Sequence, residues 1–228
     1  MRFKDVFSII GPAMIGPSSS HTAGAVRIGR VARQLLGELP EQVNIRLYGS
    51  FAETYRGHGT DIALVGGILD MDTDDPGIRD SLAKAEKLGV DVSISPSRGI
   101  SPHPNTAKIT LRKGERSVEV LGSSIGGGNI VIHSVNGFDI KFSGDFPTIV
   151  LFHLDKTGVI AGVTKVLSDA GINIGFMDVA RAEREGEAMT AIEVDSPVSQ
   201  EVLVRLSRLK HVRRVLQIDL SRKGRERS

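Results

Sequence analysis

The chain of 228 residues has no cysteine and no tryptophan, and aromatic residues make up only 4 % of it. Without cysteine it forms no disulfide, offers no thiolate nucleophile and gives no thiolate to an iron–sulfur cluster. With so few aromatic rings there is no stacking platform for nucleic-acid bases. No run of 18 apolar residues occurs, so no segment reads as a membrane-spanning helix. The opening "MRFKDVFSIIGPAMIG" has a short apolar run but no small-residue cleavage site after it. It is read as part of the mature chain, with the cytoplasm as the expected compartment.

Hydrophobic residues at 40 % and charged residues at 25 % are ordinary globular composition. The length allows one large domain or two small ones, each with a core. The net charge of +2 is unevenly spread. From Arg205 onward there are nine Lys or Arg and two Asp or Glu, whereas the preceding 204 residues hold 20 basic and 25 acidic side chains. The basicity belongs to the last helix, the last strand and the tail "SRKGRERS", and reads as a solvated terminus, not a nucleic-acid surface.

The stretch "FSGDFP", residues 142–147, divides the chain into two patterns. After it, "TIVLFHL" reads as a strand, and a helix follows from about Gly158 with Val159, Val163, Val166, Leu167 and Ala170 on one face and Gly171 closing it. "INIGFMDVAR" and "AMTAIEVD" read as hairpin strands about a turn at "EREGE". Pro197 and Ser199 then start a helix with Val202, Leu203, Leu206 and Leu209 inward, and "RRVLQIDL" is the last strand. The order βαββαβ is ferredoxin-like. Before the division the pattern is mixed. A helix is expected from about Thr22 to Leu36, "VNIRLYGSFA" as a strand, and helices in "GTDIALVGGILDM" and "GIRDSLAKAEKLG". Antiparallel strands are expected from Thr106 to Ser143, with turns at Lys113–Gly114 and Asn136–Gly137. The fold class is α+β, with domains over 1–143 and 148–222, a linker at 144–147 and a basic tail at 223–228.

Polar motifs are concentrated in the first part. In "GPSSSHTAGAVRIG" the residues Ser18, Ser19, Ser20, His21 and Thr22 precede a helix start, with Pro17 before them. One hydroxyl suffices as an N-cap, and the others could hold an anion at the positive helix end or simply form a small-residue loop. "GSFAETYRGHGTDIALVGG" sets His58 between two glycines and just before Thr60 and Asp61. Glycines let a backbone come close to a substrate, and an imidazole titrates in the range suited to proton abstraction. Asp61 serves equally as a partner of that ring or as a helix cap, and His58 equally as a solvated loop residue. "SPHPNT" fixes His103 between prolines, beside Asn105, and "SSIGGGNI" offers the amides of Gly126, Gly127 and Gly128 to an anion. There is no GxxxxGK(S/T) lysine for a nucleotide. His133, His153 and His211 read as structural. No metal-ligand spacing appears, so these motifs make up half a site, with the electrophile supplied elsewhere.

These four motifs, in this order over about residues 4–145, resemble the beta chain of bacterial iron–sulfur L-serine dehydratases. Residues 148–222 resemble an ACT domain, an amino-acid-sensing module whose Asp-x-Pro-Gly turn stands here as "DKTG". The resemblance implies a heteromeric lyase that deaminates L-serine to pyruvate and ammonia. In it a [4Fe–4S] cluster is held by cysteines of a partner alpha chain, and no metal is held by this one. It places both His58 and His21 near the active site without ranking them; His58 is taken as the base that removes the Cα proton, with His21 as the second candidate, and the Ser18–Ser20 and Thr22 hydroxyls are expected on the substrate carboxylate. Thr60, Asp61, Asn105 and Gly126–Gly128 are lesser candidates for orienting it. Asp155, Gly158, Val159, Ile160 and Asn173 are the corresponding ACT ligand residues. A homodimer through either domain is compatible with the pattern. The alternative is a regulatory module binding serine or another small anion without catalysis, since the first domain is also similar to the allosteric substrate-binding domain of some phosphoglycerate dehydrogenases.

Overall fold

The computed structural model describes residues 18–221. The N-terminal stretch with Pro17 and the tail from 222 lie outside the described residues. The described chain divides into two compact units, 18–133 and 134–221.

The first unit is built on a mixed sheet. Its strands are β1 (Gln42–Tyr48), β2 (Asp91–Pro96), β3 (Thr106–Lys113), β4 (Arg116–Gly126) and β5 (Asn129–Val135). With β6 (Phe138–Phe142) the order is β2-β1-β3-β4-β5-β6. β1 runs parallel to β2 and antiparallel to β3, and β3 antiparallel to β4. β1 alternates strictly, burying Val43, Ile45 and Leu47 and exposing Gln42, Asn44 and Arg46, so one sheet face is covered and the other is wet.

Helix α1 (Gly24–Leu36) buries Val26, Ile28, Val31, Leu35 and Leu36. It crosses α3 (Thr60–Ile68) at two glycines: a Cβ on Gly67 would strike the Val26 carbonyl, and one on Gly29 the Leu64 carbonyl. Regular helix begins at Gly24, two residues later than expected, because Ser19–Ala23 forms a wider π-turn. The strand expected over "VNIRLYGSFA" stops at Tyr48, and Gly49 opens α2 (Gly49–His58). The cause is local. Gly49 adopts a φ of +53° under the 101–105 loop, where any Cβ would lie 2.6 Å from the Pro104 carbonyl oxygen. Strand β2 lies outside every expected element. "GIRDSLAKAEKLG" is divided into a 3₁₀ turn (Pro76–Asp80) and α4 (Ser81–Lys87). Lys113 pairs with Arg116, so the hairpin tip is Gly114–Glu115, one residue beyond the expected turn. Asn136 and Gly137 both have positive φ, as the type I′ turn expected there requires.

In the second unit β7 (Thr148–Leu154), α5 (Val159–Asp169), β8 (Ile174–Arg181), β9 (Glu187–Val194), α6 (Gln200–Ser207) and β10 (Val212–Ile218) follow the βαββαβ order. The antiparallel sheet runs β10-β7-β9-β8. Ile149, Leu151, Val163, Leu167, Ile192, Val194 and Leu206 form its core, each contributing about 1.5–3 kcal/mol by leaving water. Ala170, expected inward, is exposed, because α5 ends at Asp169 and Gly171 turns the chain away at a φ of +69°. Ser199 caps α6, its Oγ accepting the Val202 N–H.

Candidate active site

The polar run before α1 is a cap followed by a widened turn. Ser18 is extended, and its Oγ accepts the His21 N–H at 3.3 Å. The Gly24 N–H then reaches five residues back to the Ser19 carbonyl. Such π-turns recur at functional sites, because the extra residue swings one side chain out of the regular helical row. Here the side chain is His21, only 8 % exposed. Its Nδ1 lies 3.3 Å from Ser18 Oγ and its Nε2 3.3 Å from Ser50 Oγ.

Helix α2 supplies the rest. Phe51 and His58 stand two turns apart on one face, about 10 Å by helical rise. The His21 ring sits edge-on between them, with centroids 5.2 Å from Phe51 and 4.8 Å from His58. Burial, and then the adjacent His58 charge, hold the His21 imidazole below its ordinary pKa, so it is neutral at neutral pH. His58 is exposed. It is the last residue of α2 and not a loop residue. Gly59, at a φ of +70°, ends the helix by donating its N–H to the Tyr55 carbonyl, whereas Gly57 lies within α2 with open space around it. One of the two flanking glycines therefore serves to stop a helix.

The other expected residues are distributed as follows. Ser19 and Ser20 are half-buried in the π-turn. Thr22 and Thr60 are 3 % and 0 % exposed, and neither hydroxyl has a hydrogen-bond partner among the described residues. The same holds for Ser124, which faces Gly24 at the start of α1. Asp61 accepts the N–H of Ile62 at 2.9 Å, in the first turn of α3. Asn105 is tied through its backbone: its carbonyl accepts the Ser124 N–H at 2.9 Å and its own N–H donates to His103 Nδ1 at 3.1 Å. His103 is thus turned onto its own loop. Gly126, Gly127 and Gly128 all have positive φ at the β4–β5 tip, where the Gly128 carbonyl accepts Arg27 Nη1 at 2.9 Å.

The structure brings together Ser18, His21 and His58, and adds Ser50, which the sequence reading passed over as strand. The available signal was the seven-residue spacing of Phe51 and His58, a helical period that strand alternation does not produce.

The family model described as "Serine dehydratase beta chain" matches residues 3–135, and the ACT domain model matches 148–211. The chain belongs to the serine dehydratase beta chain family. A Bacillus subtilis protein named "Probable L-serine dehydratase, beta chain" is 50 % identical over 218 residues, 96 % of this chain and 99 % of that one. The L-serine dehydratase beta chain of Peptoniphilus asaccharolyticus is 39 % identical over 203 residues, 88 % of this chain and 91 % of that one. A D-3-phosphoglycerate dehydrogenase of Methanocaldococcus jannaschii is 27 % identical over 139 residues, 61 % of this chain and 26 % of that one.

In this beta chain's ACT domain, Gly158 and Val159 line a depression of about 300 Å³ with Lys210 and His211. Asp155, Ile160 and Asn173 do not line it. The Asp155 carboxylate accepts the Glu185 N–H at 3.2 Å and Arg181 at 3.3 Å, which hold its carboxyl below the usual range. The Asn173 amide donates to Asp195 at 2.9 Å.

Proposed function

We propose that this chain is the beta subunit of a cytoplasmic, heteromeric L-serine dehydratase that works only together with a cysteine-bearing alpha chain. The reaction removes the Cα proton and the Cβ hydroxyl of L-serine as water. The 2-aminoacrylate left behind tautomerises to an imine, one water adds, and pyruvate and ammonia depart. The [4Fe–4S] cluster of this reading belongs to the alpha chain. This chain has no cysteine, and no group of three or more His, Asp or Glu among the described residues could hold a metal, so its own donors do not fit a cluster.

His58 is the base: its exposed imidazole accepts the Cα proton at a ring nitrogen. His21, kept neutral, places no second positive charge beside the imidazolium that forms. The Ser18–Ser20 turn and Thr22 bind the substrate carboxylate at the helix start, where the backbone dipoles favour an anion. Thr60, Asn105 and the Gly126–Gly128 turn contribute to orientation, and Asp61 supports the start of α3. The observation that carries this reading is the exposed His58 lying 4.8 Å from a buried His21 in a π-turn of a serine dehydratase beta chain.

The ACT domain is the sensing module, with its ligand at the Asp155–Ile160 turn and Asn173. Self-association through edge strand β8 is part of the proposal, supported by exposed Phe176, Met177 and Val179.

A second reading, a serine- or anion-binding regulatory module without catalysis, is favoured by the similarity to the phosphoglycerate dehydrogenase. Anaerobic co-expression with the alpha chain separates the two. Pyruvate formation from L-serine is expected only when both chains are present. Full activity of the alpha chain alone would leave the regulatory reading in its place.

A further inference from the structure

A row of polar side chains, two of them buried and His133 half-buried, crosses three strands of the first unit. His133 Nε2 on β5 lies 2.9 Å from Ser123 Oγ on β4, and Ser123 Oγ lies 2.7 Å from Thr106 Oγ1 on β3. The Thr106 hydroxyl donates to the His103 carbonyl at 2.6 Å. Thr106 and Ser123 are fully buried. Ser124, the next residue of β4, faces Gly24 of α1, so by strand alternation the row runs on the sheet face away from that helix.

Donor accounting fixes the direction of every bond. A carbonyl only accepts, so the Thr106 proton is committed to His103, and Thr106 Oγ1 accepts from Ser123. The Ser123 proton is thereby committed too, so its oxygen accepts from His133, whose proton sits on Nε2.

The row ends on the 101–105 loop, and that loop seats α2. A helix start leaves its first N–H groups without partners inside the helix, and α2 has no side-chain cap. The Pro104 carbonyl accepts the Phe51 N–H at 3.4 Å, an approach that Gly49 permits by lacking a Cβ. Helix α2 carries Ser50 against His21 at one end and His58 at the other.

We propose that Thr106, Ser123 and His133 are positioning residues: their hydrogen-bonded row fixes the 101–105 loop, whose Pro104 carbonyl caps α2 and thereby sets Ser50 and His58 around His21. The inference rests on the dehydratase reading for its catalytic consequence.

Two substitutions test it in the assembled two-chain enzyme. Thr106→Val keeps the shape and removes the proton; Thr106→Ser keeps the hydroxyl. The expected result is a kcat for L-serine about tenfold lower in Thr106→Val, with KM changed by less than about twofold, and recovery in Thr106→Ser. An unchanged kcat in Thr106→Val, or a loss that Thr106→Ser shares, overturns the proposal. A second readout is independent of turnover: imidazole ¹⁵N spectra of the full-length chain. His133 is expected to carry a proton on Nε2, and the His21 signals are expected to move in Thr106→Val and return in Thr106→Ser. If those shifts appear while the wild-type enzyme does not turn over serine, the dehydratase reading fails and the positioning stands. If the wild type is active and neither kcat nor the His21 signals respond to Thr106→Val, the positioning fails and the dehydratase reading stands.

Discussion

In the second unit, His153 is 3 % exposed and both its ring nitrogens are engaged, Nδ1 donating to the Leu154 carbonyl and Nε2 accepting from the buried Thr190 hydroxyl, each at 2.8 Å. Glu193, 7 % exposed, accepts the Ser143 N–H and O–H at 2.6 and 2.7 Å. In the first unit the buried hydroxyls of Thr22, Thr60 and Ser124 have no partner among the described residues. A buried polar atom left unpaired costs about 1–3 kcal/mol. The buried polar groups of the second unit are thus paired within it, whereas in the first unit three buried hydroxyls have no partner among the described residues. Two of those hydroxyls, Thr22 and Thr60, lie in the motifs that hold His21 and His58.

That contrast can be broken or sharpened by substitution. The largest effect is expected at the helix crossing of the first unit. Gly67→Val drives a side chain into the Val26 backbone carbonyl, and urea unfolding should show a loss of about 3 kcal/mol or more. Next, Glu193→Ala leaves two Ser143 donors without their acceptor and should cost about 2–3 kcal/mol, with kcat per assembled enzyme unchanged. The first unit should behave in the opposite way. Thr22→Val or Thr60→Val removes, at constant shape, a buried hydroxyl that has no partner among the described residues, so stability should stay level or rise by about 1 kcal/mol while KM for L-serine increases. A stability loss there without a change in KM would erase the contrast.

The smallest effect is a pH dependence. His21 has a lowered pKa in the folded chain, so between that value and the ordinary imidazole value the unfolded state binds more protons. Stability therefore falls as the pH drops through this window and levels off below the folded pKa. His21→Gln should flatten that part of the profile, as followed by urea midpoints from about pH 8 to about pH 5.

How much was legible in the sequence follows the same division. The ACT unit has apolar β-rich runs, a Ser cap and a closing glycine, each a local signal, and only Ala170 faces the side opposite to that expected. In the first unit the βαββαβ regularity is missing and several decisive contacts are non-local. The end of β1 at Tyr48 is dictated by Pro104, more than fifty residues away in the chain. That contact turns "GSFA" from strand into helix and moves His58 from a loop to a helix end. Ser50 was passed over for the same reason, its one signal being the helical spacing of Phe51 and His58, and the Thr106–Ser123–His133 row needs three strands in register. The residues of "SSSHT" and "GHGTD" stand out in the sequence because hydroxyls at a helix start and an imidazole beside glycine carry their own chemistry, and the fold sets His21 of the first motif beside His58 of the second.

The most direct test of the central claim is kcat for L-serine in the co-expressed, anaerobically purified two-chain enzyme, comparing His58→Ala with wild type while the visible cluster absorbance is monitored. If His58 takes the Cα proton, kcat falls by about 10²–10⁴-fold with the absorbance intact. A His58→Ala enzyme that turns over serine at the wild-type rate would contradict the assignment.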